Sequence, residues 1–135
     1  MKLIGAWGNH IFRIGLLDDF DATGSFILST KPFDVANQAK IQVTAEEISE
    51  FLDCILDAIE NSITAHTGHV ISSVMETDEG FVFVGWRCSE DKKNELVVSQ
   101  NESSIGIPMI YLDECLSWLL KEFYQLGFKE YPQGD

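Results

Sequence analysis

Residues 45–63 read AEEISEFLDCILDAIENSI, and their acidic side chains are the strongest chemical signal in the chain. Setting Glu46 at 0° and advancing about 100° per residue puts Glu50, Asp53, Asp57 and Glu60 within an arc of about 80°. On the same wheel Phe51, Leu52, Ile55, Leu56, Ile59 and Ile63 take the opposite side. The spacing predicts an amphipathic helix with a carboxylate stripe in water. A stripe of this kind can be a plain solvated face, a docking surface for a cationic protein or a divalent-cation site. A helix face rarely wraps an ion with enough oxygens, which disfavours the last reading. Neighbouring carboxylates three or four residues apart repel by about 0.2–0.5 kcal/mol per pair, a strain that a cationic partner relieves.

Other residues could also do chemistry. Asp19-x-Asp21-x-Thr23-Gly24 matches the start of a calcium loop, but the twelfth position is Thr30, not glutamate, and the flanks read as strands. Asp18, Asp19 and Asp21 as acid–base carboxylates compete with their reading as a solubilising loop. His66-x-x-His69 lacks the further ligands that zinc needs. Cys54, Cys88 and Cys115 show no CxxC spacing, so they read as buried thiols in a reducing cytosol. A nucleophilic Cys88 or Cys115 would require a histidine base within reach. No GxSxG, P-loop or GxGxxG occurs. The sequence therefore nominates no catalytic residue, no metal site and no cofactor.

The charge distribution narrows the partners. The chain has 135 residues and a formal net charge of −13. Residues 41–86 contain no lysine or arginine and carry Glu46, Glu47, Glu50, Asp53, Asp57, Glu60, Glu76, Asp78 and Glu79. Such a surface repels nucleic acid and anionic membranes and speeds encounter with a basic protein. No targeting segment and no apolar run long enough to span a membrane is visible, so a cytoplasmic location is expected.

The elements that must position these groups read as a single α+β domain over 1–135. We expect a mainly antiparallel sheet of about five to seven strands covered by two long helices, at about 44–65 and 113–126, with a frayed tail at 129–135. KLIGAW and HIFRIGLL form a hairpin about Gly8-Asn9, and GSFILST is a third strand. IQV (41–43) is too short to assign, and 33–40 is ambiguous. Thr44-x-x-Glu47 is a capping box for the first helix. HVISSVMET and FVFVGWRC form a hairpin about Asp78-Glu79-Gly80; the second of these strands is apolar on nearly every residue, as in a central strand covered on both faces. ELVVSQ and IGIPMIYL follow, with Pro108 marking an edge or a bulge. Asp113 caps the last helix, whose apolar face includes Cys115, Leu119 and Phe123. No internal repeat is visible in the sequence.

This acidic α+β character resembles bacterial immunity proteins, including those of contact-dependent growth inhibition and other polymorphic toxin systems. Glu46, Glu50, Asp53, Asp57 and Glu60 carry the likeness, with Glu76, Asp78 and Glu79 as a second patch, and the ending IGIPMIYLDECLSWLLKEFYQLGF also looks like that group. The resemblance implies a non-enzymatic inhibitor that occludes a basic, nuclease-type toxin without turnover. Monomer and homodimer both remain open. Secretion chaperones share the size, acidity and α+β make-up, but they usually begin with a helix where this chain reads as a strand hairpin. An enzyme whose site assembles only in three dimensions is the third reading.

Overall fold

A computed structural model describes residues 2–19, 24–30, 39–60, 68–88 and 94–126. Eight strands form two antiparallel four-stranded meanders, in place of the single sheet of five to seven strands expected. The first contains β1 (Lys2–Gly8), β2 (Arg13–Asp19), β3 (Ser25–Ser29) and β4 (Lys40–Thr44). The segment too short to assign is therefore a full strand, in register with β3 through Leu28 opposite Ile41. The second meander contains β5 (Gly68–Thr77), β6 (Gly80–Cys88), β7 (Glu95–Gln100) and β8 (Ser103–Pro108).

Each meander ends in a three-residue 3-10 turn that leads into a helix: α1 (Ile48–Glu60) after β4 and α2 (Leu112–Gln125) after β8. The chain thus repeats one plan twice, although its sequence shows no repeat. A gapless offset relates Ile41 to Ile105, Val43 to Ile107, Ile48 to Leu112, Phe51 to Cys115 and Ile55 to Leu119, and all ten residues are buried. Apolar class is kept at these positions while residue identity mostly changes. Even a β-bulge recurs, between Leu3 and Gly5 in β1 and between Ile71 and Ser73 in β5.

The helices are exchanged between the halves. α1 packs on β5 and β6, and α2 packs on β1. The Trp86 indole N–H on β6 donates to the Ala58 carbonyl of α1 (2.8 Å), and Phe123 of α2 meets Phe26 of β3 edge to face. One apolar cluster joins both sheets and both helices, including Leu16, Leu28, Ile41, Phe51, Val84, Leu96, Ile105, Leu119 and Phe123. β4 lies against β7 and β8, where the Gln100 side chain treats the β4 backbone as a strand would. Its amide oxygen accepts the Gln42 N–H (2.8 Å) and its amide nitrogen donates to the Gln42 carbonyl (2.8 Å) and to Thr77 Oγ1 (3.0 Å). A buried glutamine with these partners leaves the backbone groups of β4 at this point satisfied.

Three local expectations need correction. The first hairpin has a four-residue loop, residues 9–12, because the Asn9 side chain accepts the N–H groups of Ile11 and Phe12 and holds both out of the strand. Gly8, at a φ of 135°, admits that turn. The second helix enters through its 3-10 turn at Met109–Tyr111, so Asp113 lies inside the first helical turn and is not the cap. β6 is central in its sheet, yet its outward face is covered only in part: Val82, Val84 and Trp86 are buried on the core side, while on the other side Gly85 is buried but Phe81 is 52% and Phe83 37% exposed. Apolar residues on both sides of a strand do not by themselves bring a second layer over it.

The described part of α1 ends at Glu60, and its expected continuation to 65 lies outside the described residues, as do Ile63 and the segment 129–135. Among the described residues no helix is long and apolar enough to cross a membrane.

Candidate functional site

The stripe on α1 begins with its anchorage. Glu47 Oε1 accepts the backbone N–H of Thr44 (2.9 Å), the half of the capping box that closes the start of the helix. Its other oxygen, Oε2, accepts the backbone N–H of Asp78 in the β5–β6 turn (2.8 Å). One carboxylate therefore caps the helix and pins it to a hairpin of the other half. Only the first role was readable in the sequence, because the second partner lies 31 residues away. Gly80 closes the same hairpin at a φ of 124°, and Thr77 Oγ1 donates to its carbonyl (2.5 Å).

Behind the anchor, Phe51, Leu52, Cys54, Ile55 and Ala58 are buried and fix the rotation of α1. That rotation places Glu46, Glu50, Asp53, Asp57 and Glu60 on the open side, and all five are exposed. Over Glu46–Glu60 the row spans about 20 Å at 1.5 Å per residue. Among the described residues no ion pair joins Glu46, Glu50, Asp53 or Glu60 to a lysine or arginine. No basic residue occupies the last described turn of α1, so Asp57 and Glu60 lie toward the unfavourable end of the helix dipole.

Glu76, Asp78 and Glu79 are also exposed. The Glu47 bridge brings Asp78 to the start of the stripe, whereas Glu76 projects from β5 opposite Phe81, on the sheet face away from α1. The eight sequence-nominated residues thus divide: Asp78 adjoins the helical row, and Glu76 belongs to another surface.

The field of the row reaches the Cys54 thiol. Burial pushes the Cys54 pKa up, a hydrogen bond with the Ser73 side chain pulls it down, and Glu50, Asp57 and Asp53 push it up further. Cys115, fully buried on α2, is pushed up to about 12 by burial alone. A thiolate nucleophile is therefore disfavoured at Cys115 at neutral pH. All three cysteines are free and buried.

Among the described residues, the remaining sequence candidates do not converge on one site. Asp19 ends β2 and accepts a hydrogen bond from the Gln42 side-chain amide (2.7 Å), with strands flanking the loop. Asp21 and His66 lie outside the described residues, and His69 is placed only by its backbone, opposite Arg87. Among the described residues no group of three or more His, Cys, Asp or Glu side chains is arranged to hold a metal.

The sequence also missed the counterpart of the Glu47 anchor. In the second half the equivalent residue is Tyr111, which stacks on Phe12 (6.4 Å between ring centroids) and meets Trp7 edge to face (6.0 Å). Each half therefore clasps the first hairpin of the other, once with a carboxylate and once with an aromatic ring. Beside Tyr111 lies an open hollow of about 550 Å³ lined by Ile11, Asn94, Glu95, Pro108, Met109 and Ile110. Glu95 there is already paired with Arg87 (2.5 Å).

Comparison with protein-family models, with curated proteins and with solved structures finds no match to this chain.

Proposed function

We propose that this chain is an immunity-type inhibitor that occludes a basic, nuclease-type toxin with the carboxylate row of α1. The observation that carries the reading is internal to the molecule. The positions in α2 and its leading 3-10 turn equivalent to Glu46, Glu50, Asp53, Asp57 and Glu60 are Ile110, Glu114, Ser117, Lys121 and Tyr124, and all five are exposed. Two helices with the same place in the plan and the same kind of buried face thus carry different surface chemistry, acidic on one and mixed on the other. The fold tolerates a mixed, nearly neutral surface at these positions, so folding alone does not demand the acids on α1.

The geometry suits a cationic protein. Five carboxylates over about 20 Å give one charge per 4–5 Å, close to the one per about 3.4 Å of a nucleic-acid strand. A nuclease groove built for phosphates would accept such a row. Helix-borne carboxylates also need little ordering on binding, which limits the entropy cost. Glu46, Glu50, Asp53, Asp57 and Glu60 form the main contact in this reading, and Asp78 and Glu79 extend it around the hairpin. Inhibition follows from covering the toxin site, with no bond made or broken.

The reading predicts a toxin gene beside the gene for this chain, and the test is association with the basic protein that gene would encode. A one-to-one complex that weakens steeply with salt supports the proposal. Absence of any complex at low salt, or a complex whose formation ignores Glu50→Lys, Asp53→Lys and Asp57→Lys together, contradicts it.

A further inference from the structure

The longest described strand lies at the edge of its sheet. β5, at ten residues, pairs only with β6, and among the described residues no backbone bond joins it to any other element. Edges of this kind invite a further strand, and proteins blunt them with lysine, proline or a bulge. β5 has no lysine and no proline, and its bulge between Ile71 and Ser73 leaves Ser73–Thr77 in regular register with β6. Its counterpart β1 begins with Lys2, and the Glu122 carboxylate of α2 lies against Gly5, 2.9 Å from where a Cβ would stand.

The carboxylate row runs beside the β5 edge. β5 lies antiparallel to α1: Glu47 bonds Asp78 just beyond the end of β5, Cys54 bonds Ser73, and α1 closes at Glu60 before β5 opens at Gly68. Turning about the α1 axis by about 100° per residue places Cys54 next to Glu50, and Ala58 one step further from the row. Cys54 meets β5, and Ala58 meets Trp86 of β6. β5 therefore stands between the row and the rest of its sheet, with its open edge on the carboxylate side. Along this stretch Met75 and Thr77 are buried, and Val74 points the other way, 48% exposed.

We infer that this edge accepts an extended basic segment of the toxin as an added strand, an inference that rests on the proposed role of the α1 row. Backbone pairing along Ser73–Thr77 supplies the hold, and the side chains supply the choice. On one face of an added strand the side chains recur about every 6.8 Å. The carboxylates recur every three or four residues, about 4.5–6 Å, a spacing that flexible lysine side chains can follow. Charge selects the occupant: residues 41–86, which hold both the row and β5, contain no lysine or arginine, so an acidic strand is repelled and a basic one is drawn in. The intervening side chains of the added strand point outward beside Val74, which lies opposite Phe83 in the ladder, and apolar residues gain burial there. The segment is thus specified as lysine or arginine alternating with an apolar residue.

Calorimetric titration of the full chain with a capped peptide of four lysines alternating with four valines tests this, beside octalysine and an alternating lysine–serine peptide. Two further probes carry N-methyl groups on the lysine–valine peptide, one at its lysines and one at its valines. The lysine–valine peptide should bind at least about tenfold more tightly than octalysine, although it carries half the charge, and should slow hydrogen exchange at the Ser73–Thr77 amides. One of the two N-methylated peptides should lose about tenfold or more, because only one edge of a strand can pair with β5. The lysine–serine peptide should fall between. Binding that ignores N-methylation at both edges, octalysine or lysine–serine binding as tightly, or protection absent from Ser73–Thr77 overturns the inference and leaves the row as a purely electrostatic contact. Equal binding of the basic peptides by the chain carrying Glu50→Lys, Asp53→Lys and Asp57→Lys, or no binding by the parent at low salt, overturns the row reading as well.

Discussion

The two halves of this molecule share a plan and differ in what they show to solvent. Each is a four-stranded meander, a 3-10 turn and a helix that crosses to the other sheet. Where packing decides, the halves agree: Ile48 and Leu112, Phe51 and Cys115, Ile55 and Leu119 are all buried. Where packing is silent, they diverge, with acids along α1 and a mixed surface along α2. The hairpin clasp diverges as well, from the Glu47 carboxylate to the Tyr111 ring. The comparison separates what the fold needs from what it merely carries, and the carboxylate row falls in the second class.

The largest expected effect lies at the deepest shared position. Phe51→Ala should lower stability by about 3–5 kcal/mol in denaturant titration, through lost burial and the cavity left behind. Cys115→Ala, at the equivalent place, should cost only about 1 kcal/mol because far less volume is removed. Equal losses would break the equivalence. The same pair differs in alkaline behaviour. The folded-state pKa of Cys115 is raised, so its contribution is complete below the ordinary thiol value of 9.0 and is lost as pH rises toward about 12. Melting curves over that window should fall more steeply for the parent chain than for Cys115→Ala.

Next in size is the functional contrast. Replacing Glu50, Asp53 and Asp57 by lysine should slow association with the proposed basic toxin by tenfold or more at low salt, on the order of 1.4 kcal/mol or above. Lysines at the matching α2 positions Glu114 and Ser117, beside Lys121 at the third, should leave the rate within about twofold, since they lie off the proposed contact. Stopped-flow mixing at two salt concentrations measures both.

The clasp comes third. Glu47→Ala removes acceptors from both the Thr44 and Asp78 amides and should cost about 1–2 kcal/mol in thermal or chemical unfolding. Glu47→Gln, which keeps one acceptor oxygen, should recover part of that loss. A neutral outcome for Glu47→Ala would show that the β5–β6 hairpin does not help to hold α1.

Much of this was legible in the sequence, for reasons that differ by element. The 3.6-residue period located α1 and its outward row, and Thr44-x-x-Glu47 marked its start, because helix signals are local. Strand existence was legible wherever alternation or an apolar run was long enough; β4 failed that test at three apolar-or-polar letters, IQV, yet its pairing with β3 makes it a strand. The number of sheets was not legible, since hydrogen-bond partners are set by long-range packing that no short window records. The duplication was hidden because burial conserves only apolar class, so Phe51 can answer to Cys115. For the site, the exposure of the five carboxylates followed from the opposite apolar face, while the Glu47–Asp78 and Gln100–Gln42 bonds needed the folded chain to bring distant segments together. The open side of β6 was misjudged because a strand with phenylalanine at alternate outward positions looks the same whether a layer covers it or not.

The smallest expected effect is a gain. Glu50→Gln with Asp53→Asn removes i,i+3 and i,i+4 repulsions and should raise stability by about 0.2–0.5 kcal/mol for each neighbouring pair relieved. The same change should lower the pKa of Cys54, because Glu50 and Asp53 both help to raise it. Thiol alkylation of a variant that retains only Cys54, followed against pH, measures that shift. A stripe that binds a partner is thus expected to be mildly costly to the free protein, whereas removing exposed charge from α2 should bring no such gain.

The most direct measurement is the salt dependence of affinity between this chain and the basic toxin that the proposal expects to be encoded beside it, made in parallel for the parent chain, the α1 reversal and the α2 control. The expected result is a tight complex for the parent and the control, with affinity falling as salt rises, and a much weaker complex for the reversal. Equal affinities for all three, or a complex indifferent to salt, would contradict the assignment of the α1 carboxylate row as the binding surface.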